Sequence, residues 1–196
     1  MMTNMTMMSS TTSNSTDKLP DHIHIFSVEE HDYWKSKILE AIERMKEINN
    51  IQLNEKGYYY DFNIPDVERT YKNLADHILF QNIYKLEERY GLRYIKVSNY
   101  WFQQYIQGSD FGWHHHDGHW AMVYYIELPE TSESTEFLNY GQFNIKEGDI
   151  IFFPTFLVHR SPKIISNQRK TIISANINLK VDRNLIEKNG IEYFRH

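Results

Sequence analysis

At Leu92 the sequence changes its period. Upstream, apolar residues recur at helical spacing. Downstream, short runs of β-branched and aromatic residues are punctuated by Gly, Pro and Asn. Ser27, Glu29 and Glu30 lead into a run through Ile48 with Tyr33, Ile38, Ile42 and Met45 on one face, which predicts an amphipathic helix stopped at Asn49-Asn50. A second helix is expected from about Val67 to Tyr90, carrying Leu74, Ile78, Ile83 and Leu86 and ended by Gly91. A short strand at residues 23–27 precedes both helices. After Leu92, strands are expected at 94–98, 100–106, 121–128, 136–138, 143–145, 150–153 and 170–179. Two helices followed by many short strands predict a mainly β chain, a sandwich or barrel with the helices packed outside.

The length of 196 residues fits one domain. Residues 1–20 are mostly Met, Ser, Thr and Asn without apolar periodicity and read as a disordered tail, leaving 21–196 as the folded unit. A net charge of -5 gives no global positive field for nucleic acid or an anionic membrane. Cysteine is absent, which excludes disulfides, Cys-bound zinc, iron–sulfur clusters and a Cys nucleophile. With no apolar run of transmembrane length and no signal peptide pattern, a cytoplasmic location is the expectation.

The chemistry concentrates in Trp113-His114-His115-His116-Asp117-Gly118-His119, followed by Phe153-Pro154-Thr155-Phe156-Leu157-Val158-His159 and then Arg169. A His-x-Asp pair with a distant second His is the ligand set of mononuclear non-haem iron, covering one face of the metal and leaving the other open. His115 and Asp117, two apart on a strand, share a face. His114 and His116 have the same spacing, so an all-His set with His159 competes with His115, Asp117 and His159. The carboxylate favours the latter, because its negative charge suits a redox-cycling iron. A histidine-rich surface loop is the bland reading of the same stretch. Arg169 would offer a planar bidentate cation to a dicarboxylate co-substrate, with the Thr171 hydroxyl beside it. The plain alternative is a surface Arg next to Lys170.

These residues carry a family resemblance. His115-x-Asp117, His159 in Phe-Pro-x-x-x-x-His, and Arg169-Lys-Thr-Ile-Ile-Ser resemble the Fe(II)- and 2-oxoglutarate-dependent dioxygenases. The likeness is greatest to the small members found in bacteriophages and marine bacteria, near the prolyl 4-hydroxylase-like branch. Trp101-Phe102-Gln103-Gln104-Tyr105 and Val123-Tyr124-Tyr125-Ile126-Glu127-Leu128-Pro129 add to it. The resemblance spans roughly residues 94–180. It implies a double-stranded β-helix (jelly roll) with the N-terminal helices outside. It implies Fe(II) held by His115, Asp117 and His159, and 2-oxoglutarate held by the metal and Arg169, with Tyr105 or Tyr124 donating to the same carboxylate. The implied activity is hydroxylation of a small-molecule or peptidyl substrate by dioxygen, with succinate and CO2 released. A cupin-type metalloenzyme that does not use 2-oxoglutarate, or a non-catalytic jelly-roll binding module, would share much of the same sequence pattern.

Overall fold

The computed structural model describes residues 19–90 and 94–180. The tail expected over 1–20 therefore lies outside the described residues up to residue 18, as does the expected helix stop at Gly91. The chain is mainly β, with two antiparallel sheets and two α-helices among the described residues.

The chain opens with strand β1 (His24–Ser27) and helix α1 (His31–Ile48), then runs through β2 (Tyr58–Tyr60) and a short 3-10 turn at Asp66–Glu68 into helix α2 (Lys72–Tyr90). The remainder is strand: β3 (Tyr94–Tyr105), β4 (Phe111–His114), β5 (Trp120–Glu127), β6 (Glu136–Phe137), β7 (Gly141–Gln142), β8 (Asp149–Pro154), β9 (His159–Ser161) and β10 (Lys170–Lys180). The larger sheet has the order β1-β8-β5-β10-β3-β2, the smaller β4-β9-β6-β7.

The apolar side chains divide by strand parity. On the outer face of the larger sheet, Phe102, Met122, Tyr124, Ile126, Ile150, Phe152, Ile173 and Ala175 pack beneath the helices against Ile38, Ile42, Ile78 and Leu86. On its inner face, Tyr105, Ala121, Val123, Tyr125, Ile151, Phe153 and Ile172 meet Phe137 of the smaller sheet. β5 is buried along nearly its whole length because both of its faces are covered.

Several elements depart from the sequence expectation for identifiable reasons. The second helix begins at Lys72 rather than near Val67. Residues 66–68 form a 3-10 turn, and the Arg69 side chain folds back to bond the carbonyls of Ile64, Phe62 and Tyr100. The two strands expected at 94–98 and 100–106 are one continuous β3, with the slip in its pairing to β10 absorbed between Val97 and Asn99. No strand forms at 143–145. Phe143 instead packs on Phe137 at 5.5 Å between ring centroids. The tyrosine-rich segment after α1 supplies an edge strand, β2, alongside β3.

Candidate metal and co-substrate site

The smaller sheet brings the histidines together. His114, the last residue of β4, lies directly opposite His159, the first of β9. Opposed residues of an antiparallel pair project from the same face, so His114 and His159 both turn inward. His116 continues on that side of the chain, its backbone N–H bonded to the Thr155 carbonyl at 3.2 Å. The ring nitrogens of His114, His116 and His159 that could bind an ion lie within 4.8 Å of one another. Gly118, at φ 104, lets the chain turn away immediately afterwards, and a Cβ there would meet Asn178 Oδ1 at 3.1 Å.

The protein fixes two of the tautomers. His159 Nδ1–H donates to the Leu157 carbonyl at 2.8 Å, and His114 Nδ1–H donates to the Gly112 carbonyl at 2.8 Å. A carbonyl only accepts, so each ring keeps its Nε2 lone pair for a ligand. His116 Nε2 and His159 Nε2 stand 3.2 Å apart. Two nitrogens bound to one ion at metal–nitrogen distances near 2.1 Å are about 3.0–3.4 Å apart, so this pair already has chelating separation. Burial, reinforced by the neighbouring imidazoles, lowers His116 to about 4 and His159 to about 3, and burial also lowers His114. All three rings are therefore neutral ligands at neutral pH, which suits Fe(II) or another borderline divalent ion.

His115 and Asp117 fall in the other register. Both are exposed at the rim of the same cavity and neither joins the cluster. The cause is the pairing of His114 with His159. It assigns the inward face to the even-numbered residues of this stretch, and a slip of one residue would exchange the sets.

A cavity of about 980 Å³ opens beside the histidines. Tyr58, Tyr60, Phe62, Trp101 and Phe111 form its aromatic side, and Gln103, Ser174 and Asn176 contribute polar groups. Phe62 stands 55% exposed at the rim, with its ring edge-on to Trp101 at 5.5 Å, and Trp101 approaches His116 at 5.9 Å. The backbone behind Phe62 is pinned from within. Buried Asp61 accepts from Tyr71 Oη at 2.7 Å and Phe102 N–H at 3.0 Å, while Arg69 holds the Phe62 carbonyl at 3.0 Å.

Of the two adjacent cations on β10, Lys170 and not Arg169 is directed inward, beneath a cavity whose own lining includes Lys56 and Arg160. Lys170 faces Tyr105 across the β10–β3 ladder and is 1% exposed. Its Nζ donates to Ser161 Oγ at 3.0 Å and the Glu133 carbonyl at 2.7 Å, lies 5.4 Å from the Tyr105 ring centroid, and forms no ion pair among the described residues. Burial lowers its pKa to about 7. Ser161, Thr135 and Tyr105 line the cavity as a polar floor, with Lys170 and Tyr125 beneath it; Tyr125 Oη and Thr135 Oγ1 are 2.6 Å apart. His159 and Ser161 point the same way along β9, about 7 Å apart at the usual strand rise. The floor thus lies at one dicarboxylate's length from the histidines.

Arg169, Thr171 and Tyr124 project from the outer face. Arg169 is paired with Glu127 and Glu43, the Thr171 hydroxyl donates to Glu127, and Tyr124 Oη bonds His31 Nδ1 at 2.8 Å under α1. Of the residues expected around a co-substrate, Tyr105 alone is at the cavity floor. The signal for Lys170 is present in the sequence of β10. Ile173, Ala175 and Ile177 form a wholly apolar face shared by Arg169 and Thr171, which belongs under the helices. Lys170, Ile172, Ser174 and Asn176 form the mixed face that a site requires.

No family model matches the chain, and no curated protein matches it in sequence. Solved structures do resemble it. A viral collagen prolyl hydroxylase from Paramecium bursaria Chlorella virus-1, in complex with 2-oxoglutarate, is 14% identical, with a TM-score of 0.59 over 82% of this chain and 97% of that one. A Pseudomonas putida prolyl-4-hydroxylase is 11% identical, with a TM-score of 0.52 over 81% of this chain and 93% of that one. HygX from Streptomyces hygroscopicus, with nickel, 2-oxoglutarate and hygromycin B bound, is 7% identical, with a TM-score of 0.55 over 81% and 83% of the two chains. At these identities the likeness is one of fold. No helix among the described residues is long and apolar enough to cross a membrane.

Proposed function

We propose that this protein is an Fe(II)- and 2-oxoglutarate-dependent oxygenase, a hydroxylase built on a jelly roll whose facing halves are the two sheets. One observation carries the reading. Three neutral imidazoles converge beside the cavity, and a buried lysine that forms no ion pair among the described residues lies beneath its floor, bonded to the lining Ser161 about one dicarboxylate's length away. The folds similar to it include two that were solved with 2-oxoglutarate.

In this reading His114, His116 and His159 hold the metal. Iron, when bound with 2-oxoglutarate and dioxygen, supplies oxidative decarboxylation to succinate and CO2 coupled to hydroxylation of a substrate C–H bond. The chain's residues do the rest. The Gly112 and Leu157 carbonyls keep two ring lone pairs aimed at the ion. Lys170, with Tyr105 and Ser161, receives the distal carboxylate of the co-substrate. Trp101, Phe62 and Tyr60 cover the open side and exclude water from it. No side chain has to act as a general base. A small-molecule or peptidyl substrate would enter past Phe62.

An all-histidine ligand set also suits a cupin-type metalloenzyme that does not use 2-oxoglutarate, and Lys170 separates the two readings. Anaerobic Fe(II) titration with 2-oxoglutarate should give the weak visible charge-transfer band of the chelate, and admission of air should give succinate. Iron binding without band or succinate would favour the cupin-type enzyme. Failure to bind a stoichiometric metal would leave a jelly-roll binding module.

A further inference from the structure

Lys170 points inward between two chain neighbours that point the other way. Arg169 and Thr171 both turn to the outer face, and both end on one carboxylate. Arg169 Nε donates to Glu127 Oε2 at 2.7 Å and its Nη2 to Oε1 at 2.9 Å, while Thr171 Oγ1 donates to the same Oε2. The remaining Arg169 nitrogen, Nη1, reaches Glu43 of α1 at 2.5 Å, and Glu43 is itself fixed by Lys46 at 2.8 Å and Gln104 at 3.1 Å. On the β3 side Lys170 and Thr171 pair in regular register with Tyr105 and Gln104, but on the β5 side the pairing slips at this point. Thr171 lies opposite Glu127 but Ile172 lies opposite Tyr125, so β5 carries an extra residue, Ile126, against β10. The ladder on the β5 side therefore does not set the pleat at Lys170, and the side-chain clamp sits where that ladder slips.

We infer that Glu127 is a positioning residue for Lys170. By gripping the residues before and after it from the far side of the sheet, Glu127 fixes the backbone from which the ammonium extends, and so sets co-substrate affinity without touching the co-substrate. The inference rests on the proposed role of Lys170 as carboxylate anchor. A merely structural ion pair between Glu127 and Arg169 would weaken the fold when broken, whatever stood at position 170.

A double-mutant cycle separates the two. Full-length protein loaded anaerobically with Fe(II) is titrated with 2-oxoglutarate as wild type, Glu127→Gln, Lys170→Met and the double variant. Glu127→Gln should weaken 2-oxoglutarate binding about tenfold in the wild-type background, within the range of direct couplings, and raise KM for 2-oxoglutarate more than it lowers succinate formation at saturation. In the Lys170→Met background the same change should leave the affinity unaltered. An equal loss in both backgrounds, or none in either, would overturn the inference. If Glu127→Gln fails to fold, Arg169→Gln, which keeps the Thr171–Glu127 bond, replaces it in the cycle with the same expectation. Should Lys170→Met itself bind 2-oxoglutarate as tightly as wild type, the anchor role fails, and this inference with it.

Discussion

Replacing Lys170 by Met should make the protein more stable and a poorer binder of 2-oxoglutarate. The side chain is 1% exposed and carries no ion pair among the described residues, and burial takes its pKa from 10.5 to about 7. At about 1.4 kcal/mol per pH unit, holding the charged form there costs the fold on the order of 4 kcal/mol at neutral pH. Its bonds to Ser161 Oγ and the Glu133 carbonyl return about 1 kcal/mol each. Met keeps the aliphatic stem and removes the charge, so the variant should gain about 2 kcal/mol. In a chain of this size that is a rise in Tm of about 4–8 °C. Binding should move the other way. A charge-assisted hydrogen bond to a carboxylate is worth about 1.5–3 kcal/mol, so affinity for 2-oxoglutarate should fall about 10- to 150-fold. Differential scanning calorimetry of the metal-free protein measures the first effect, and anaerobic titration of the Fe(II) form measures the second. A variant that unfolds earlier than wild type would refute the burial argument. One that binds 2-oxoglutarate with undiminished affinity would refute the anchor.

Further tests follow from the same geometry. His114→Ala, His116→Ala or His159→Ala should each abolish stoichiometric Fe(II) binding, whereas Asp117→Ala should retain it; metal analysis after anaerobic loading decides, and loss of iron in Asp117→Ala would restore the His-x-Asp register. In the metal-free protein the folded-state values of His116 and His159 lie near 4 and 3, against 6.5 when unfolded. Between those values the unfolded chain binds more protons, so stability should be full above pH 6.5 and fall as the pH drops towards 4. A Tm flat across that window would contradict neutral buried rings. Asp61→Leu leaves Arg69, 5% exposed, without its buried counter-charge and should cost about 3 kcal/mol in a denaturant melt; a change below 1 kcal/mol would show that the three carbonyls bound by Arg69, with the exposed Asp66 at 3.4 Å, suffice. Ile126→Ala opens a void in the fully buried centre of β5 and should cost about 2–5 kcal/mol in the same assay.

Much of this protein follows from local pattern. The helix ending at Ile48, the change to strands after Leu92, the buried run of β5 and the candidate ligand segment are readable because apolar periodicity and turn residues act over a few neighbours. The sequence also narrows the candidate metal ligands to His159 with one of two alternating pairs. Which pair faces inward was a question of register, and register is set by a partner strand far away in the chain: His114 meets His159 across the β4–β9 ladder. Arg169, expected at the co-substrate, turns to the other face for a related reason. Adjacent residues of a strand point to opposite faces, and Arg169 rather than Lys170 lies on the face that α1 covers, where Glu43 and Glu127 take its charge. Sequence by itself determined which side chains were available to hold a metal and an anion. Only the tertiary structure decided which of them meet, because period-two alternation leaves each strand two possible faces and only packing chooses between them.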